Sequence, residues 1–231
     1  MDYNLLERSL SSPRLNRYLK TCKYSKKSAT KLYVLNLKVS QSFYPLLNLF
    51  EITLRNAIHE ELKNHFNAHD WVIREKNGFM SNRSLGFTNF HLKKSVLKAE
   101  QGLRDNYKTI TPSRVISELM FGFWTNLFEK HHYRLINGSI INVFKNRPPH
   151  INRADISKGL NLIREFRNRI YHNEPICFRL NTINLENAIL VKNKIIMLIE
   201  WIDPNLVKLF KMFNELDSHI LNCESLKRRI N

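Results

Sequence analysis

Six glycines and seven prolines are all that interrupt 231 residues, and the apolar residues between them recur three and four positions apart. Strands need alternation and frequent turns, so a chain offering neither is confined to helices packed side by side. The expected fold class is all-α, with no sheet beyond a short hairpin. A hydrophobic content of 43% is enough to bury a core as one large domain or two closely packed halves.

The pattern resolves into elements. Ser12-Pro13 reads as a helix start, with the hydroxyl as cap and proline at the first helical position. Residues 28–44 and 46–66 carry helical stripes, and Pro45 is expected to kink or divide them. Residues 67–90 lack periodicity and read as a long, partly ordered connection and the best boundary between halves. A basic helix over 91–104 turns Leu92, Val96, Ala99 and Leu103 to one side. Thr111-Pro112 starts another, whose apolar band runs from Val115 to Phe128. Gly122 inside that band implies a kink or close helix packing, packing being the stronger reading. The aromatic cluster Phe121, Phe123, Trp124 and Phe128 reads as core ahead of base stacking. Pro148-Pro149 marks a turn, 152–172 form a helix ended by Pro175, and 184–201 a last long helix. Asp203-Pro204 then precedes an amphipathic tail ending in Lys227-Arg228-Arg229.

Charge narrows the function. Thirty-seven Lys and Arg against twenty Asp and Glu leave a formal +17, which points to a polyanionic partner. A membrane role is disfavoured, because no run approaches the ~20 apolar residues needed to span a bilayer, and no secretory signal is present. Cys22, Cys177 and Cys223 are isolated, with neither C-x-x-C spacing nor a nearby His that would suggest zinc. They read as half-buried hydrophobes in a reducing cytoplasm. His59 and His131-His132 lack metal-site spacing, and no cofactor or metal is expected. Nucleophile-elbow and phosphate-loop signatures are absent.

The most informative segment is Arg167-Asn168-Arg169-Ile170-Tyr171-His172. At about 100° per residue, Arg164, Asn168 and His172 form one polar stripe flanked by Arg167 and Tyr171. Leu162, Ile163, Phe166 and Ile170 take the opposite side as a core face. A fixed cation, an amide and a titratable imidazole gathered in two turns suit attack on a phosphodiester. Taken alone, such a string is ordinarily a solvated helix face.

Its surroundings add a resemblance. The stretch Ile163–Ile176 resembles the signature of the abortive-infection (Abi) family, the AbiD/AbiF-like group of prokaryotic phage-defence proteins, whose helical domain is of the HEPN class. Further blocks follow in the family's order: Pro13-Arg14-Leu15 with Tyr18-Leu19, Leu32-Tyr33 with Asn36, Ser42-Phe43-Tyr44, Glu51 with Leu54-Arg55-Asn56, Asp70-Trp71, and Glu118 to Trp124. The likeness runs from about residue 10 to about residue 205. Asn173 stands where a second His is common, and Met120 where a smaller polar residue is common. The resemblance implies one Abi-like domain over 1–231, with an N-terminal helical half (1–90) and a HEPN-like half (91–231).

It also implies an activity, a metal-independent endoribonuclease toxin acting in phage defence. His172 would move protons, Arg167 would clamp phosphate with its planar fork, and Asn168 would orient the imidazole or ribose. Arg164, Arg169 and Tyr171 would support RNA binding. A homodimer lining one cleft with two motifs is implied, and a structured noncoding RNA as antitoxin is a further expectation. The Arg55-Asn56 pair echoes the motif, with His59 one residue too early to complete it. Arg55 either braces its helix against Glu51 or helps Asn56 position RNA. The alternative from another class is a non-catalytic RNA-binding module.

Overall fold

The computed structural model describes residues 3–212 and 215–230. The fold is all-α. Helices α1 (Tyr3–Leu10), α2 (Ser12–Thr21) and α3 (Lys26–Phe66) come first, then α4 (Trp71–Arg74), α5 (His91–Asp105), α6 (Pro112–Glu118), α7 (Phe121–Asn126) and α8 (Lys130–Leu135). The chain continues through α9 (Arg153–Tyr171), α10 (Glu186–Ile202), α11 (Leu206–Met212) and α12 (Leu216–Ile230). Among the described residues the strands are β1 (Phe178–Arg179) and β2 (Thr182–Ile183), an antiparallel pair with Phe178 opposite Ile183. No helix among the described residues is long and apolar enough to cross a membrane.

Several local expectations are corrected. Pro45 does not divide its helix: α3 runs unbroken for 41 residues. Proline has no N–H to offer the carbonyl four residues earlier, but that carbonyl belongs to exposed Gln41, where solvent can satisfy it. Ser12 does not cap α2; its hydroxyl donates to Glu7 Oε1 at 3.0 Å. Residues 67–90 are an ordered segment, built from α4 and two 3₁₀ turns, with Trp71, Val72, Phe79, Met80 and Leu85 buried.

The apolar band from Val115 to Phe128 is two helices, because Leu119 and Met120 are extended. The reason is its width. Six of the eight residues 121–128 are buried, more than one straight helix can turn inward, and the break re-aims α7. Phe121, Phe123, Trp124 and Phe128 are core, each at most 2% exposed. Close packing does not explain Gly122, since a Cβ there meets no atom within 4 Å, and the same holds for Gly102 inside α5. Gly102→Ala is therefore expected to stabilise the fold by up to about 1 kcal/mol, raising the melting temperature by roughly 2–4 °C. A lower melting temperature would show that Gly102 has a role the local space does not reveal.

The chain groups into two compact units that interleave along the sequence rather than dividing near residue 90. The first comprises Met1–Leu49, Glu165–Ile196 and Leu206–Asn231; the second comprises Phe50–Arg164 and Met197–Asn205. In the first unit Tyr18 packs edge-on to Tyr33 and Phe178 with ring centroids 5.3 and 5.0 Å apart, and Phe43 meets Phe166 at 4.8 Å. Cys22, Cys177 and Cys223 are free, fully buried thiols of this core, and burial pushes Cys22 up to about 11 and Cys223 up to about 12.

The second unit buries Trp71, Trp124, Phe128, Phe144 and Leu160. Arg153 donates to the Phe128 carbonyl at 3.0 Å, and Ser157 and Asn161 donate to Glu129 Oε1 at 3.1 and 2.9 Å. Lys76 and Glu100 form a buried ion pair. His132 is 1% exposed, its Nδ1 lies 2.8 Å from the Asn126 carbonyl, and its buried Nε2 has no partner.

Burial lowers the His132 pKa to about 4. A histidine held neutral in the fold binds its proton first in the unfolded chain. Its contribution is intact above pH about 6.5 and is lost as pH falls from there to about 4, by about 3 kcal/mol at most. Comparing denaturation of wild type and His132→Gln at pH 7 and pH 4.5 isolates this term; identical pH dependence in the two proteins would remove it.

Candidate functional site

The motif lies at the end of α9, and both ends of that helix are specified locally. Asn152 Oδ1 accepts from the Ala154 and Asp155 N–H groups at 2.7 and 3.3 Å, while Asp155 Oδ2 accepts from the Asn152 N–H at 3.0 Å. This is a reciprocal capping box. At the other end Asn173 adopts a left-handed φ of 56°. Its N–H donates to the Ile170 carbonyl at 3.0 Å, and the Glu174 N–H donates to the Arg169 carbonyl at 2.8 Å. That pair of bonds is a Schellman stop. Asparagine tolerates the left-handed region better than other residues with a side chain, which gives Asn173 a structural reason to stand where it does.

His172 is consequently the last residue before the chain turns away, with its own N–H bonded to the Asn168 carbonyl at 2.9 Å. Asn168 and His172 are exposed, and Arg167 is half-buried. The Arg167 guanidinium lies 4.3 Å from the centroid of the Tyr171 ring, itself 52% exposed. A cation–π contact of this kind is worth about 0.5–1 kcal/mol at an exposed site, and it fixes the plane of the fork. Tyr171 thus acts as a platform for Arg167. On the opposite side Ile163 and Phe166 are buried, and Leu162 and Ile170 are half-buried. Among the described residues no hydrogen bond joins the Asn168 amide to the imidazole.

Arg169 is engaged inside the chain. Its Nε donates to Glu174 Oε2 at 3.3 Å and its Nη2 to the Pro175 carbonyl at 2.5 Å, so this guanidinium stiffens the exit from α9. The exit is also held from within. The buried Ile176 N–H donates to Asn36 Oδ1 at 2.9 Å, and Asn36 is 4% exposed.

One contributor escaped the sequence reading. Arg14 Nη2 donates to the Asn173 carbonyl at 2.7 Å, Arg17 Nη2 to the Leu180 carbonyl at 2.6 Å, and Thr21 Oγ1 to the Asn181 carbonyl at 3.4 Å. These donors lie three and four residues apart on α2, while Leu15 and Tyr18 face the core. The exposed side of α2 therefore straps down the segment that follows His172, and it places the Arg14 guanidinium at the residue next to it. The signal in the sequence was the polar spacing Arg14, Arg17, Thr21; its partners lie about 160 positions away, beyond any periodicity.

Arg164, Arg55 and Asn56 belong to the second unit. Arg55 Nε donates to Asn56 Oδ1 at 3.4 Å. His59, which fails to complete the motif echo, accepts the Trp71 Nε1–H at 3.0 Å on its Nδ1, and burial lowers its pKa. It is a packed acceptor for a core tryptophan. Among the described residues no group of three or more His, Cys, Asp or Glu side chains is placed to hold a metal ion.

The arrangement that results combines an exposed imidazole, an exposed amide and an oriented guanidinium at a rigid helix end. It can accept or donate a proton and can bind an anionic oxygen. No protein-family model, curated protein or solved structure matches this chain.

Proposed function

We propose that the protein is a metal-independent endoribonuclease of HEPN type, a toxin of an abortive-infection phage-defence system. The observation that carries the reading is the Arg167 fork, stacked on Tyr171 and presented one turn from Asn168 and His172 at a doubly capped, strapped helix end. The +17 balance supports a polyanionic substrate, and RNA is the polyanion that carries its own nucleophile.

The chemistry follows from the groups. His172 takes the proton of the ribose 2′-hydroxyl, and the 2′-oxygen attacks the adjacent phosphorus. Arg167 donates to the phosphate oxygens as negative charge builds on them. The bond from phosphorus to the 5′-oxygen breaks, and that oxygen leaves with a proton. In the homodimer that the family resemblance implies, the second copy of the motif supplies the acid. A structured noncoding RNA is the corresponding candidate for the neutralising partner.

Incubating the purified protein with cellular RNA in EDTA and mapping the new ends tests this directly. The expected products are 2′,3′-cyclic phosphate and 5′-hydroxyl ends. Cleavage only with added Mg²⁺, or ends of the opposite polarity, would overturn the mechanism. Retention of RNA without any cleavage would leave the non-catalytic RNA-binding module in its place.

A further inference from the structure

Between α1 and the N-terminal part of α3 lies a cavity of about 580 Å³, within the size range of small-molecule sites. It is confined to the first unit. Tyr3 contributes from α1, and Lys27, Thr30, Lys31 and Lys38 recur along one face of α3. Val34 and Leu35, one turn on from Thr30 and Lys31, give it an apolar floor.

Two features mark this cavity as built for a ligand. Tyr3 and Thr30 are 4% and 8% exposed, and the Tyr3 hydroxyl and Thr30 Oγ1 are buried without a hydrogen-bond partner. A helical threonine ordinarily satisfies its hydroxyl on the carbonyl four residues back. A buried polar atom left unpaired costs stability, so two at one cavity call for a partner that enters it. Burial, followed by nearby Glu7, raises the Tyr3 pKa and keeps its hydroxyl a donor.

The second feature is charge. Lys26, Lys27, Lys31 and Lys38 bring four ammonium groups to one rim, and no carboxylate is among the lining residues. Lys26 lies 5.4 Å from the Tyr3 ring centroid and donates to Asn4 Oδ1 at 2.9 Å, so it is fixed over the cavity wall. Clustered ammonium groups repel one another until an anion enters. An aromatic ring, an aliphatic floor, two hydroxyls and a cationic rim together match a ligand with a flat apolar body and a phosphate.

We infer that this cavity binds a nucleoside phosphate, either a free nucleotide or the 5′-phosphorylated end of an RNA strand. The lysine rim holds the phosphate, the floor and the Tyr3 ring hold the base, and the two hydroxyls meet its polar edge or the ribose. The inference goes beyond the ribonuclease reading and does not depend on it.

The test uses the full chain, with AMP, UMP, uridine and inorganic phosphate as probes in thermal-shift and calorimetric titrations. Both nucleotides are expected to raise the melting midpoint saturably, with inorganic phosphate weaker by tenfold or more and uridine without effect. Lys31→Ala/Lys38→Ala should weaken nucleotide binding at least tenfold, whereas Lys98→Ala/Lys108→Ala, an equal loss of charge on α5 and beyond its end, should leave it unchanged. Thr30→Val, close to isosteric, should raise the ligand-free midpoint and diminish the nucleotide-dependent rise. Competition in the His172→Ala background separates the two sources. Displacement of AMP by a 5′-phosphorylated RNA but not by its 5′-hydroxyl form identifies the strand end, and displacement by neither identifies the free nucleotide. Equal affinity for phosphate and nucleotide, an unmoved midpoint, or wild-type binding by the double lysine variant would each overturn the inference. These readouts involve no cleavage, so the site and the ribonuclease reading can fail separately.

Discussion

His172→Ala is expected to lower RNA cleavage by about 10²- to 10⁴-fold, the usual worth of a positioned proton-transfer group, with no change in melting temperature. The residue is exposed at the end of α9, and its backbone N–H bond to Asn168 survives the substitution. Arg167→Ala is expected to lose a comparable factor by removing a donor aimed at developing charge. Arg167→Lys should recover little, because an ammonium group offers neither the planar two-pronged geometry nor the stack on Tyr171. Single-turnover cleavage of one defined RNA by wild type and the three variants is the measurement. A His172→Ala protein that cuts at the wild-type rate would remove the proposed site.

The second large effect is on folding. Phe166 lies on the inner face of the motif helix, 1% exposed, with its ring 4.8 Å from that of Phe43. Phe166→Ala removes most of a buried ring and leaves a cavity, which costs about 3–5 kcal/mol out of a total stability of about 5–15 kcal/mol. Urea denaturation should show the midpoint falling by a large fraction or the transition vanishing. Loss of cleavage in this variant would accompany loss of fold, opposite to the outcome at His172. An unchanged midpoint would show that this face of α9 is not core.

Most helices were legible because their signals are local. The stripe Leu92, Val96, Ala99 and Leu103 is the buried side of α5. Thr111 caps α6, its side chain accepting the Arg114 N–H at 3.4 Å. Where the reading failed, the deciding terms were not periodic. The 3₁₀ turns within residues 67–90 bury single apolar residues without a repeat. The break at Leu119-Met120 carries no Gly or Pro and arises from how much apolar surface the neighbouring helices accept. Met120, 71% exposed, looked like a band residue only because the band was taken as continuous.

The site divides along the same line. The common face of Asn168 and His172 and the buried side at Ile163 and Phe166 follow from helical geometry. The stacking of Arg167 on Tyr171 is a contact four residues apart and was within reach of that geometry too. The commitment of Arg169 to Glu174 and Pro175, the clamp from Arg14 and the anchor from Asn36 depend on tertiary pairing. A single sequence has no period for such pairs.

The asparagine that stops α9 has a consequence for the unfolded chain. Left-handed stops also fall on Asn67 and Asn137, positions where glycine is the common choice. Each glycine avoided narrows the denatured ensemble and saves roughly 0.4–1 kcal/mol of conformational entropy on folding, against a left-handed cost of roughly 1–2 kcal/mol that asparagine partly escapes. The two terms nearly cancel, so this economy of glycine costs the fold little. At Asn173 it also leaves an amide side chain beside the imidazole, where a glycine stop would present only bare backbone to an approaching strand.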